Sequence, residues 1–345
     1  MTGIDPGSWQ VTMLPLPKRF SRGVAYGFCG GHPVGQAEAL RGKVAGCWWP
    51  RGTPELLTLD GHAVLKTGRA SGDVIPGHWS DGKTGAMGAV RWTLGDGRLV
   101  GAELHDPTYQ QTWAVGVGNG SVVGVGSPPR KPGQFTPNVG LLWRAGAPPI
   151  AVGATSEVSL FATDGTRLVG SIQGRATLWP TPTAAPIDLT PGDLSMSEAQ
   201  ALDGELQIGN VWRGFCPRAA IWRGTAASFI DLTPEGFEAG SAYAGSGGYQ
   251  VGSVRAKDNT GNGTPGYDNR AVLWQGAAER WFDLNALLPA KTYNASIAWA
   301  IAVGGDTVQV SGAATRYDVR DPGTPHESHT LPVQHPVLWT ARLTR

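Results

Sequence analysis

The sequence predicts an all-β fold, a seven-bladed β-propeller of four-stranded antiparallel blades closed by the N-terminal strand joining the last blade. Three observations carry this. Gly is 51 of 345 residues and Trp 14, a composition of short strands, tight turns and large ring-filled gaps. A pattern of apolar residues ending in Trp recurs seven times along the chain. The two ends of the chain are out of phase with that pattern and complete one another.

The repeat runs as follows. AGCWW ends at Trp49, GAVRW at Trp92, VGLLW at Trp143, RATLW at Trp179, RAAIW at Trp222, RAVLW at Trp274 and HPVLW at Trp339. The spacings are 43, 51, 36, 43, 52 and 65 residues, in the range of a four-stranded propeller blade. Each middle unit continues with a short strand ending in Asp-Leu (Asp188, Asp231, Asp283), a loop, a small-residue strand, a Gly turn and a Val-Gly or Ile-Gly strand. The predicted order in a blade is therefore the small-residue strand nearest the axis, such as 241–244 or 113–117. The Val-Gly strand, the Trp strand and the Asp-Leu strand follow outward. The Trp rings are expected to wedge between neighbouring sheets. Arg175, Arg218 and Arg270 recur at one offset and are expected to pair with the Asp of a neighbouring loop.

Only TARLTR follows Trp339, whereas the chain begins in mid-unit. SWQVTMLPLP reads as a post-Trp strand and SRGVAYGFCGGHPVG as a small-residue hairpin. Residues 9–14 are thus expected to supply the outer strand of the Trp339 blade, which removes a free sheet edge. The whole of 1–345 is expected to be one propeller domain.

The units A-x-L-W, D-L, S-x-A-x-A and G-x-Q-V-G resemble the HAF-type extracellular propeller repeats of bacterial proteins. The resemblance is closest from Arg175 to Trp274, fair at both ends and degraded between Leu56 and His78. It implies the propeller fold. Such families share no one chemistry or ligand, so no catalytic residue is carried over.

Composition excludes several function classes. Net charge is +1, hydrophobic residues are 41% and charged residues 16%, the opposite of a disordered chain and without the basic excess of a nucleic-acid binder. No apolar run is long enough to span a bilayer. The first residues show no secretory signal, so the expectation from the sequence as given is cytoplasmic, unless it is a processed mature form. Three Cys make no disulfide framework; Cys47 and Cys216 read as small buried hydrophobes. Cys29, with His32 three residues on, brackets a Gly turn. No G-x-S-x-G, P-loop or Rossmann glycine run is present.

Hairpin connectivity places the loops. The turns from strand one to strand two are short, while the long segments 105–113, 127–138, 257–270, 284–294 and 315–335 all fall on the opposite face. Long loops on a rigid scaffold commonly carry binding, so this long-loop face is the predicted ligand face. Tyr109, Trp113, Tyr267 and Tyr317 are its candidate ligand contacts. The segment TRYDVRDPGTPHESHTLPVQHP holds Asp321, His326 and His329, candidate ligands for Zn²⁺. Asp258 and Asp268 in AKDNTGNGTPGYDNR are candidate oxygen ligands for Ca²⁺. A tightly bound cofactor is not expected. Asn262 and Asn294 head N-x-[ST] sequons.

Two functions stay open at this stage. One is a non-catalytic recognition module binding a glycan or protein on the long-loop face, with neither nucleic acid nor membrane as partner. The alternative is a lyase or hydrolase using His105, Asp318, Asp321, His326 and His329 as acid/base groups at the channel mouth. General acid/base work needs those groups within hydrogen-bond reach of one reacting atom.

Overall fold

A computed structural model describes residues 3–344 apart from 41, 61, 63–64, 82–83, 130–135, 154–156, 257–268, 318, 321–327 and 330–331. The described residues form seven four-stranded antiparallel blades, and their only helices are four single turns of 3₁₀ type. The inner strands of blades 1 to 7 are Arg22–Cys29, Leu65–Thr67, Gln111–Gly118, Val158–Thr163, Ser197–Asp203, Phe237–Ser246 and Ala295–Gly304. Blades 2 and 3 are joined by two parallel pairs, Gln111 with Met87 and Arg69 with Gly116.

The offset termini close the ring as expected. Gln10–Met13 lies antiparallel to Val333–Arg342, with Val11 opposite Trp339 and Met13 opposite Val337. That strand is the fourth of blade 7, so the ring ends in a paired strand rather than an open edge.

Each Trp anchor lies in the third strand of its blade or, for Trp49, directly after it, and packs against the blade before it. Trp222 shares a buried cluster with Val169 and Leu178 of blade 4. Trp274 does so with Ile208 and Ile221 of blade 5, and Trp339 with Val251 and Leu273 of blade 6. Trp49 meets Leu14 and Leu338 of blade 7, which closes the set. Three indoles also donate to the preceding blade's exit chain: Trp49 Nε1 to Pro15 O at 2.7 Å, Trp92 Nε1 to Thr58 O at 2.9 Å and Trp339 Nε1 to Leu284 O at 3.1 Å.

The Asp-Leu motif divides its labour between two sides. Leu189, Leu232 and Leu284 are fully buried, and their N–H groups donate to Ala176, Ala219 and Ala271 of the adjoining Trp strand. The preceding Asp points outward to the repeated Arg. Arg218 Nε meets Asp231 Oδ2 at 2.9 Å and Arg175 Nη2 meets Asp188 Oδ2 at 2.7 Å; Arg270 pairs with Asp283 in the same way. These pairs lie within one blade, not between an Arg and a neighbouring loop as expected, because the outer strand runs directly beside the Trp strand. The link to the next blade goes through carbonyls instead: Arg175 Nη1 donates to Leu194 O and Arg218 Nη1 to Phe237 O.

One steric rule repeats in all seven blades. A second-strand glycine sits against an inner-strand carbonyl. A Cβ on Gly35, Gly77, Gly124, Gly170, Gly209, Gly252 or Gly312 would lie 1.8–2.1 Å from that oxygen. In six blades the rung that holds this glycine is also the last before a β-bulge in the inner strand.

Gly252→Ala places its Cβ 1.8 Å from Ser241 O, and the expected cost is at the upper end of the ~1–3 kcal/mol of an overpacked core, measured by urea unfolding. Trp222→Ala leaves a cavity between blades 4 and 5 and is expected to cost about 3–5 kcal/mol in the same assay; a loss under about 1 kcal/mol, far below core cost, would place this ring outside the core.

Candidate functional site at the propeller axis

The bulges decide what faces the axis. In blades 1, 3, 4, 5, 6 and 7 the residue left over at the bulge is Tyr26, Val115, Phe161, Gln200, Tyr243 and Trp299. A bulge re-aims its side chain and sharpens the strand's twist. Five of these residues, with Phe28 and Arg69, wall a cavity of about 460 Å³, within the range of ordinary ligand pockets. Tyr243 stacks at a tilt on Trp299 with ring centroids 4.3 Å apart, and Tyr26 meets Trp299 edge-on at 5.9 Å.

Blade 2 departs from the others. Its inner strand has only three residues, and no register shift interrupts it. Gly68 lies so close to blade 3 that a Cβ would meet Val115 O at 2.2 Å. Arg69 N–H then donates to Val115 O at 2.7 Å. This fixes the root of Arg69, whose side chain crosses to the far side of the ring. Nη1 donates to Gln200 O at 2.7 Å and Tyr243 O at 3.0 Å, and Nη2 to Gln200 Oε1 at 2.7 Å. Burial pushes the guanidinium down to about 10, partly offset by Tyr243 and Glu198, so it stays charged at neutral pH. Gln200 Nε2 donates in turn to Glu198 Oε2 at 2.7 Å, and burial raises the Glu198 carboxyl.

The cavity is lined by the halves of the inner strands that lead into the short first turns, including Gly31, Asn119 and Asp164. It therefore opens on the short-turn face. A separate hollow of about 390 Å³ at the other end is lined by Phe215, Cys216, Tyr243 and Arg255. Tyr243 belongs to both walls.

Tyr109, Trp113, Tyr317 and His105 do not line the axial cavity. Tyr109 is half-buried, its ring packed over Gly126. Trp113 is half-buried on the inner strand of blade 3, opposite Val125. Tyr317 is buried, and its N–H donates to Asn294 Oδ1 at 3.0 Å. His105 bonds through Nδ1 to Thr112 Oγ1 at 2.9 Å and lies edge-on to Trp79, on which His62 stacks. Asp258, Tyr267, Asp268, Asp318, Asp321 and His326 lie outside the described residues. His329 belongs to a two-residue strand paired with Val319–Arg320. Among the described residues no group of three or more His, Cys, Asp or Glu side chains is placed to hold a metal ion.

Cys29 is fully buried and its thiol is pushed up to about 12 by burial and by Asp73. Its neighbour in the turn, His32, lies edge-on to Trp48 and accepts from Arg51 N–H at 3.5 Å, so the pair lacks the lowered thiol of a Cys–His nucleophile. Cys216 is half-buried rather than buried, since it follows the exposed turn residue Phe215.

No family model matches the chain, and no curated protein matches it. Solved structures do. The β-propeller domain of the Trilobed protease from Pyrococcus furiosus, which has an open velcro topology, superposes with a TM-score of 0.56 at 9% identity, over 91% of this chain and 96% of that one. YCF48 bound to D1 peptide gives 0.51 at 12% identity, over 100% and 99%. A puromycin hydrolase complexed with PGG gives 0.55 at 13% identity, over 91% of this chain and 55% of the hydrolase. The chain is similar to these in its propeller fold.

Arg69, Tyr26, Phe161, Gln200 and Trp299 do not stand out by residue type or motif in the sequence. The signal was present in the small-residue strands: A-Y-G, L-F-A, A-Q-A, A-Y-A and A-W-A each hold one large residue between smaller or apolar ones. The burial of Cys29 and Cys47, both with thiols pushed up to about 12, sets an order of reactivity. At pH 8 a thiol reagent is expected to label Cys216 in the native protein and the other two only after denaturation, as read by peptide mass mapping.

Proposed function

We propose that the protein is a non-catalytic recognition module that receives a group of its partner, a protein segment, in the axial cavity. The observation that supports this most is the cavity wall itself: aromatic rings from blades 1, 4, 6 and 7 around a single cation from blade 2. Mixed apolar and sparse polar walls are typical of binding sites. The propellers it resembles include one bound to a peptide, which makes a protein segment the first ligand to test, ahead of a glycan. We read residues 1–345 as one propeller domain and its repeats as HAF-type, in keeping with their A-x-L-W and D-L units.

This reading moves the ligand from the long-loop face to the short-turn face. The long segments remain the competing site, since the connections holding 257–268 and 321–327 leave from the opposite end. An enzymatic role draws no support from His105, whose Nδ1 is engaged by Thr112.

The test is a peptide-library screen on the purified protein, with each hit titrated by calorimetry. Trp299→Ala is expected to weaken binding at least about tenfold, the loss of roughly 1.4 kcal/mol. Replacing residues 320–331 by a short Gly/Ser bridge is expected to leave affinity unchanged. Melting curves of both variants control for folding. Hits that survive Trp299→Ala and vanish with the loop replacement would move the site to the long-loop face.

A further inference from the structure

The axial cavity holds a charge that its own walls leave unanswered. Arg69 is anchored by two carbonyl oxygens and one amide oxygen, all neutral. Among the described residues it forms no ion pair. The other charged residue in the wall is Asp164. Its carboxylate is already taken by Arg167 Nε at 2.7 Å and by the N–H groups of Thr166 and Arg167. Glu198 acts on Arg69 only at a distance, its Oε2 accepting from Gln200. A cation removed from water without a paired anion is costly. The fold maintains one here, in the wall of a cavity, on a residue that is half-buried as a whole.

Trp299 lies in the same wall and offers it a ring face rather than a donor, since its Nε1–H is buried, as are those of Trp79, Trp143, Trp222 and Trp274. Around Arg69 stand the rings of Tyr26, Phe28, Phe161 and Trp299. A dianionic phosphate would bring a second charge for which the described wall offers no second cation. A neutral sugar would leave Arg69 unanswered.

We infer that the cavity takes a carboxylate carried on an aromatic or apolar body, the carboxylate at Arg69 and the body against Tyr26, Phe161 and Trp299. This rests on the axial cavity being the ligand site. The shared chemistry has two sources, the C-terminus of a protein segment and a free small acid.

The experiment titrates the full chain with hydrocinnamate, its neutral amide, and a pentapeptide ending in Phe as free acid and as C-terminal amide; inorganic phosphate is the control. Each acid is expected to bind at least about tenfold more tightly than its amide, the scale of a charge-assisted hydrogen bond in a partly dry site. Arg69→Gln is expected to abolish that preference and Arg69→Lys to retain part of it. Tighter binding of the peptide acid than of hydrocinnamate assigns the source as a chain terminus, and the reverse order assigns a free acid. If Arg69→Gln does not fold, the acid-to-amide ratio on the unaltered protein decides alone. Equal binding of acid and amide, no binding of either acid, or preference for phosphate overturns the inference. Neutral peptides from the screen that bind and are lost in Trp299→Ala would overturn it while leaving the recognition reading intact. Hits indifferent to Trp299→Ala overturn that reading itself.

Discussion

Seven second-strand glycines leave room for seven inner-strand carbonyls, and much of the molecule's interior follows from that close approach. At each of these positions a Cβ would lie 1.8–2.1 Å from the oxygen, closer than any side chain tolerates. In six blades the same rung precedes a bulge. A bulge bends and twists its strand, but the close approach does not need one, since Gly77 of blade 2 meets the Lys66 carbonyl beside an unbulged strand. Glycine is what the neighbour must be. The extra residue is then left over from the ladder, and five times out of six it stands in the cavity wall. The rule that shapes the blade also furnishes the site.

Packing at wider radius obeys a different constraint. Sheets that converge at an axis diverge outward, and the gap there needs volume. Trp49, Trp92, Trp222, Trp274 and Trp339 are all within 1% of complete burial, each against the preceding blade. Beyond them the buried Leu of the Asp-Leu motif seals the sheet while its Asp holds an Arg at the surface. Surface pairs of this kind contribute little to stability, about 0–1 kcal/mol each. Their value is geometric, since the Arg also reaches a carbonyl at the start of the next blade.

Blade 2 shows what happens when the repeat decays. Its inner strand shrinks to Leu65–Thr67 and its bulge is absent. Gly68 allows blade 3 to come close, and Arg69 enters where five of the other blades present a ring or an amide. The stretch between Leu56 and His78, where the repeat is hardest to read, therefore supplies the charge that distinguishes the cavity. Degeneracy of a repeat and specificity of a site coincide here because only a position released from the repeat's packing rule is free to carry a long cation.

The sequence alone determined the architecture. Seven Trp anchors gave the blades, the phase of Trp9 to Leu14 against Trp339 gave the closure, and the Arg and Asp-Leu offsets gave the outer edge of blades 4, 5 and 6. These were legible because each is a local pattern repeated many times, with period and residue type tied to burial. The partner of each repeated Arg was not legible, because strand adjacency within a blade is a tertiary fact. Nor was the site. Tyr109, Trp113 and Tyr317 stood out by residue type, yet the first two are half-buried and the third is buried. Arg69, Gln200, Tyr243 and Trp299 are separated by 131, 43 and 56 residues and meet only because the ring closes. A propeller converges its inner strands on one axis, so residues far apart in the chain become one wall, and no local spacing records it.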